Sequence, residues 1–221
     1  MKYYCLNLER ATDRRAQMER LWIAERGFDL EFFPAVDRRR IDVGDYPLPY
    51  DPALARARCG RELTPGEIAC ATSHHLLLRQ ALAAGHPEIV VMEDDIIPSP
   101  HATPRAIADA VQSARAAFPR LNVLMLHAPL QPVRSHDVRD GTALLAEPPF
   151  GFLCVWLNAR AMELLARDLA TLAFPADWLW TRRFAPLKTI GMTVTPFCTH
   201  DGSDSYIGND PRGGSHRRYI P

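Results

Sequence analysis

The sequence predicts an α/β domain with a central, mostly parallel sheet flanked by helices. Three observations lead there. Short apolar runs alternate with longer helical segments along the whole chain. Ile89-Val90-Val91-Met92 is apolar at every position, as a strand buried on both faces must be. Thr64-Pro65-Gly66-Glu67 combines a capping residue, a proline at the first helical position and a glutamate three residues after the cap, which is a capping box.

The elements follow in order. Tyr3 to Leu8 reads as the opening strand, and Thr12 or Asp13 can cap a helix to about Arg26 with Met18, Leu21 and Trp22 on its apolar face. Leu30 to Val36 reads as a second strand. Residues 37–61 are polar and proline-bearing around Tyr46-Pro47-Leu48-Pro49-Tyr50, and read as a long loop. The capping box then opens a helix that should stop at Gly85, and Glu88 to Met92 is the buried strand. Thr103 to Phe118 reads as a helix and Leu121 to Leu126 as a strand. Thr142 to Ala146 and Phe152 to Leu157 read as strands that could pair antiparallel. Ala159 to Leu169 and Asp177 to Phe184 read as helices, and Thr189 to Pro196 as a last strand region. The expected organisation is one domain over residues 1–198. A tail over 199–221, rich in Gly, Ser, Asp and Arg, is either mobile or ordered over a ligand.

Composition bounds the function. The chain has 221 residues, 26 basic and 26 acidic side chains and 47% hydrophobic residues. That balance excludes a disordered chain, a collagen-like repeat and a polybasic nucleic-acid binder. The five cysteines are scattered and none form CxxC, which argues against a zinc knuckle and for reduced thiols in a cytosolic setting. Met1 to Arg10 has no signal-peptide character, and no apolar stretch reaches the ~20 residues that span a bilayer. Arg38-Arg39-Arg40 reads as a solvated loop or a patch for peripheral membrane contact.

The chemistry should sit at the end of the buried strand. Glu93-Asp94-Asp95 follows it directly, and adjacent carboxylates raise one another's pKa. A divalent cation resolves that repulsion with hard oxygen ligands. Alternation along an extended segment would put Glu93 and Asp95 on one side, for a metal, and Asp94 on the other, for a sugar or ribose hydroxyl. The alternative is that the acids only cap the turn before Ile96. Ligands of open α/β sheets bind at this strand end. Arg10 and Arg14, after the first strand, could pair with phosphate, stack on a base or stay solvated, and Asp13 could cap the helix or hold Arg10. Ser73 and His74 are adjacent helical residues and do not face each other as a nucleophile–base pair would. No GxSxG, GxGxxG or GxxxxGK[ST] occurs, which counts against a serine hydrolase, a Rossmann dehydrogenase and a P-loop nucleotidase. His200, Asp201, Ser203, Asp204 and Ser205 could add a metal or phosphate ligand from the tail.

Several segments together resemble glycosyltransferase family 25, which includes bacterial lipooligosaccharide galactosyltransferases and the related collagen galactosyltransferases. Tyr4 to Arg14 resembles the family's opening "INLxRxxDR", Leu63 to His74 its "LTxGEIGCxxSH" and Val90 to Asp95 its "LILEDD". These blocks occur in order within residues 2–98. The second half is similar more loosely. Gly151 to Leu165 resembles "GxxxYxxSxxxAxxLL", with Asn158 where serine is usual and Cys154 or Val155 near the tyrosine. Pro175-Ala176-Asp177 resembles "PxD", and Ser203 to Ile207 an interrupted "SDI". Leu76-Leu77-Leu78-Arg79 stands where the family often has an aromatic residue.

The resemblance implies a GT-A-like nucleotide-sugar fold and an inverting, metal-assisted transfer of a hexose, galactose foremost, from a UDP-sugar to a saccharide acceptor such as lipooligosaccharide. It implies Mn2+, or Mg2+, on Glu93, Asp95 and His200. Donor binding would involve Asn7, Arg10, Arg14, Ser73, His74 and Asp94. Asp177 and Asp95 would be the catalytic pair, with Asp177 either the base beside Trp178 and Trp180 or only a cap for the helix from Trp178 to Phe184. UDP-glucose or a UDP-N-acetylhexosamine donor, a metal-dependent hydrolase and a non-catalytic sugar-binding relative are the alternatives. The implied setting is the cytoplasm, with possible contact at the cytoplasmic face of the inner membrane.

Overall fold

The computed structural model describes residues 1–40, 48–128, 132–180 and 189–202. The opening strand is β1 (Lys2–Asn7), followed by α1 (Thr12–Met18), which continues as a wider π-helical stretch (Glu19–Ala24). Then come β2 (Leu30–Pro34), a 3-10 turn (Arg38–Arg40), α2 (Pro52–Cys59), α3 (Pro65–Ala83), β3 (Glu88–Glu93), β4 (Ile96–Pro98) and α4 (Pro104–Ala117). The second half holds β5 (Val123–Met125), β6 (Ser135–Arg139), β7 (Thr142–Leu145), β8 (Cys154–Asn158) and α5 (Ala159–Leu169). A 3-10 turn (Ala176–Trp178), β9 (Ile190–Thr193) and β10 (Cys198–His200) complete it.

Eight strands form one sheet in the order β2-β1-β3-β8-β5-β9-β7-β6. Strands β2, β1, β3, β5, β9 and β6 run one way, and β8 and β7 oppose them. The sheet is therefore mostly parallel, as its apolar centre predicts. The period-2 geometry of β3 divides the core. Ile89 and Val91 join the layer with α2, α3 and α5, while Val90 and Met92 join the layer with α1 and α4. All four are fully buried, which is why the run is uninterruptedly apolar.

Local chemistry sets the helix ends. The Thr64 side chain accepts from the Glu67 N–H and the Glu67 carboxylate accepts from the Thr64 N–H at 2.8 Å, closing the capping box. Thr64→Ala should cost about 1 kcal/mol and lower the melting temperature by about 2–4 °C in a thermal melt. Asn158 caps α5 through the Ala161 N–H at 2.9 Å.

Four local expectations change. Ala11, not Thr12 or Asp13, is the N-cap of α1, with no side-chain cap, because Asn7 Nδ2 and the Arg15 N–H reach the Ala11 carbonyl there. The expected loop over 37–61 contains α2, with Asp51 accepting from the Leu54 N–H and Gly60 in the left-handed conformation at its end. Segments 142–146 and 152–157 do not pair with each other: β7 lies between β9 and β6, and β8 between β3 and β5. After the 3-10 turn, residues 179–180 are helical, and the rest of the helix expected to Phe184 lies outside the described residues. No helix among the described residues is long and apolar enough to cross a membrane.

Candidate functional site

The chain leaves β1 to form β2 on one side, then crosses over to form β3 on the other. The crevice at such a reversal, outside the carboxyl ends of parallel strands, is where open α/β sheets bind ligands. Here a cleft of about 660 Å³, counting its solvent-open mouth, occupies that position. Glu93 at the end of β3 and Asp94 and Asp95 just after it line the cleft with Arg10 and Arg14, and Asn7 at the end of β1 bonds to Asp94. The first half of α3 supplies the opposite wall through Cys70, Ser73 and His74.

Arg14 organises the acids. Its guanidinium is 2.8 Å from Asp94 Oδ1 and 3.3 Å from Asp95 Oδ2, and Asn7 Nδ2 donates to Asp94 Oδ2 at 2.7 Å. The strand stops at Glu93, so the alternation expected of the triplet does not continue: Asp94 and Asp95 both turn to Arg14. Asp94 thus has both oxygens engaged by the protein. Arg14 is buried by these pairs, not solvated at the mouth. Arg10 instead pairs with Asp37 at 2.7 Å. Burial opposes ionisation of Asp37, but the Arg39 N–H and Arg10 outweigh it and hold its carboxyl below the usual range.

Asp95 Oδ1 is buried without a hydrogen-bond partner among the described residues. Burial raises the Asp95 pKa, against the opposing charges of Arg14 and His200. Burial, with Asp95, Asp177 and Asp94 nearby, pushes the Glu93 pKa well above the ordinary carboxylate value. Cation compensation from Arg14 is therefore incomplete, and the orphaned Asp95 oxygen, with a Glu93 carboxylate near enough to feel its charge, is a donor type that fits a hard divalent cation.

His200 arrives on β10, which pairs antiparallel with β4 and sets His200 opposite Ile96. Its Nε2 lies 3.5 Å from Asp95 Oδ2, and the Asp201 N–H donates to the Asp95 carbonyl at 2.9 Å. The domain edge expected at residue 198 thus falls inside a strand, while Ser203, Asp204, Ser205, Tyr206 and Ile207 lie outside the described residues. The Gly202 N–H donates to His200 Nδ1 at 2.9 Å, so the neutral ring carries its proton on Nε2. In that form His200 donates toward Asp95 and has no lone pair for the cation expected there.

Ser73 ties α3 to the segment after β2: its Oγ donates to the Ala69 carbonyl at 2.7 Å and accepts from the Val36 N–H at 2.9 Å. His74 is buried and its pKa falls to about 4, burial outweighing the hydrogen bond to the Cys70 carbonyl. It is neutral at physiological pH. Asp177 lies on the 3-10 turn, near enough for its charge to act on Glu93 and Cys70. Trp180 is no sugar platform, because it is fully buried, stacks on Phe152 and donates to the Gly151 carbonyl at 2.7 Å. Sequence reasoning passed over Cys70, although its spacing of four from His74 marks one helix face. It also passed over Asp37, which follows the second strand as Arg10 follows the first.

The sequence profile described as Glycosyltransferase family 25 (LPS biosynthesis protein) matches residues 1–122, more than half of the chain. A "Glycosyltransferase 25 family member" of Aedes aegypti is 36% identical over 115 residues, covering 51% of this chain and 19% of that protein. Another, of Anopheles gambiae, is 36% identical over 113 residues, covering 48% of this chain and 19% of that protein. The chain thus spans about a fifth of the length of the curated relatives it matches. Among solved structures, A197 from STIV superposes with a TM-score of 0.45 at 12% identity, over 90% of this chain and 83% of that one. The family match takes in β1, the capping box and the carboxylates of the cleft, and the chain belongs to glycosyltransferase family 25.

Proposed function

We propose that this chain is a glycosyltransferase that moves a hexose, galactose foremost, from a UDP-sugar bound in the β1–β3 cleft to a saccharide acceptor such as lipooligosaccharide. One observation carries the reading: three carboxylates, Asn7 and Arg14 converge at the carboxyl edge of parallel strands, in a family 25 chain. Its setting is the cytoplasm, with the acceptor reached at the inner face of the membrane.

Glu93 and Asp95 would hold a divalent cation, Mn2+ or Mg2+, since both offer hard oxygen donors. When bound, such a cation supplies Lewis-acid stabilisation of the charge that develops on the departing nucleoside diphosphate. The chain's own residues do the rest. Arg14 and Asn7 fix Asp94, and Arg14 with His200 orients Asp95. Arg10 and Arg38, both lining the cleft, add positive charge for the diphosphate. Asp177 takes the proton of the attacking acceptor hydroxyl, as inversion requires of one base on the face opposite the leaving group.

A panel of nucleotide sugars with a saccharide acceptor, with and without Mn2+, tests the reading. UDP-galactose should be consumed only with the metal, and its sugar should appear in the acceptor. Asp177→Asn should lower kcat by about 10²-fold or more, with donor affinity within threefold of wild type. A panel in which no nucleotide sugar binds or turns over would remove the proposal. Donor hydrolysis indifferent to acceptor would replace it with a hydrolase.

A further inference from the structure

Cys70 and His74 stand one turn apart on α3, so their side chains share the face that lines the cleft. His74 Nδ1 lies 3.0 Å from the Cys70 carbonyl oxygen. A carbonyl only accepts, so Nδ1 carries the proton and Nε2 keeps a bare lone pair. His74 is 2% exposed, and Nε2 has no hydrogen-bond partner among the described residues. It faces Glu93 Oε1 at 3.8 Å. The Glu93 backbone is held in turn, its N–H donating to the Leu153 carbonyl at 2.8 Å. Cys70, His74 and Glu93 each offer a ligand atom within 4.8 Å of the others.

We propose that Cys70 Sγ, His74 Nε2 and a Glu93 carboxylate oxygen form a zinc-type site in the cleft, with the fourth position open to solvent or ligand. Tetrahedral zinc with bonds of about 2.1 Å holds N and O ligands about 3.4 Å apart, and sulfur slightly further; the Cys70 thiol, 3.7 Å from His74 Nδ1, closes the site by turning toward Nε2. The Nδ1–H to carbonyl bond is the arrangement that orients metal-binding histidines. Thiolate and imidazole select zinc over the harder Mn2+ and Mg2+. Binding releases the Cys70 thiol proton to solvent. Burial and the charges of Glu93, Asp177, Asp95 and Glu67 raise that thiol's pKa, and a cation at Sγ offsets them. This site is distinct from the all-oxygen pair Glu93 and Asp95, but it shares Glu93 with it. On the donor reading above, zinc therefore competes with the transfer metal.

The test uses the full, tag-free chain after chelator treatment, titrated with Co2+ and then Zn2+. One equivalent of Co2+ should produce a thiolate-to-cobalt charge-transfer band, and Zn2+ should abolish it. Cys70→Ser should remove the band and weaken zinc at least tenfold, while Asp95→Asn should leave zinc affinity within threefold. Circular dichroism verifies folding, and if Cys70→Ser does not fold, His74→Gln must show the same tenfold loss. Absence of the band in the folded wild type overturns the site, as does a band that survives Cys70→Ser. So does unchanged zinc affinity in His74→Gln. Lack of Mn2+-dependent transfer would instead count against the donor reading and leave the cobalt spectrum as it is.

Discussion

Replacing Arg14 with leucine should lower the melting temperature at pH 7 by about 10 °C, the largest stability loss expected of any single substitution in the cleft. The Arg14 side chain is 9% exposed and those of Asp94 and Asp95 are 11% exposed. Removing one member of a buried ion cluster leaves the others desolvated without counter-charge, which costs about 3–5 kcal/mol. In a domain of this size each kcal/mol moves the midpoint by about 2–4 °C. Asn7 still holds one oxygen of Asp94 at 2.7 Å, whereas Asp95 keeps only the more distant His200 at 3.5 Å, so the greater distress falls on Asp95. That gives the loss a pH signature. Without Arg14 the Asp95 pKa, already raised by burial, rises further in the folded state. A carboxyl whose folded pKa exceeds its unfolded one binds more protons when folded, so stability falls as pH rises through the unfolded value near 4. The deficit against wild type should be small at pH 4 and complete at pH 7. Adding Asp95→Asn to Arg14→Leu should recover part of it. Thermal melts of the three variants across that range decide the matter, and a single variant melting within 2 °C of wild type at pH 7 would show that the cluster does not carry the fold.

The parts of this molecule that were legible in its sequence are those whose cause is local. Strand β3 announces itself because burial on both faces demands four apolar residues in succession, and α3 because its cap is written in Thr64 to Glu67. α2 had the same kind of punctuation in Asp51, Pro52 and Gly60, but its arginine-rich faces hide any helical apolar stripe. Strands β4 and β10 are three residues each and satisfy one another across a hundred positions, so neither carries a local signal. The site divides in the same way. Carboxylates at the end of a buried strand are visible in one dimension. That an arginine eighty residues earlier is buried against them is not, since first-turn arginines are usually solvated. His200 reaches Asp95 only through the β4–β10 pairing.

Glu93→Gln should abolish metal-dependent transfer while making the metal-free protein more stable at neutral pH, a pairing that separates function from architecture. Among the described residues no donor lies within hydrogen-bonding reach of the Glu93 carboxylate, and His74 beside it is neutral. Burial and the charges of Asp95, Asp177 and Asp94 hold the Glu93 pKa well above its ordinary 4.5. The folded state therefore binds more protons at this position than the unfolded state does above pH 4.5. Stability is full below that value and is lost as pH rises toward the folded pKa. Glutamine keeps the shape and removes the charge. Its gain should be absent at pH 4 and on the order of 1 kcal/mol at pH 8, which is about 2–4 °C in a chelator-treated sample. With Mn2+ the order should reverse, because a cation that binds the folded wild type and not the variant stabilises only the former. A residue selected for the core would show the opposite pattern, losing stability with glutamine at every pH and indifferent to metal. If Glu93→Gln melts below wild type in chelator at pH 8, the carboxylate belongs to the architecture, and the case for a cation at the end of β3 loses its main support.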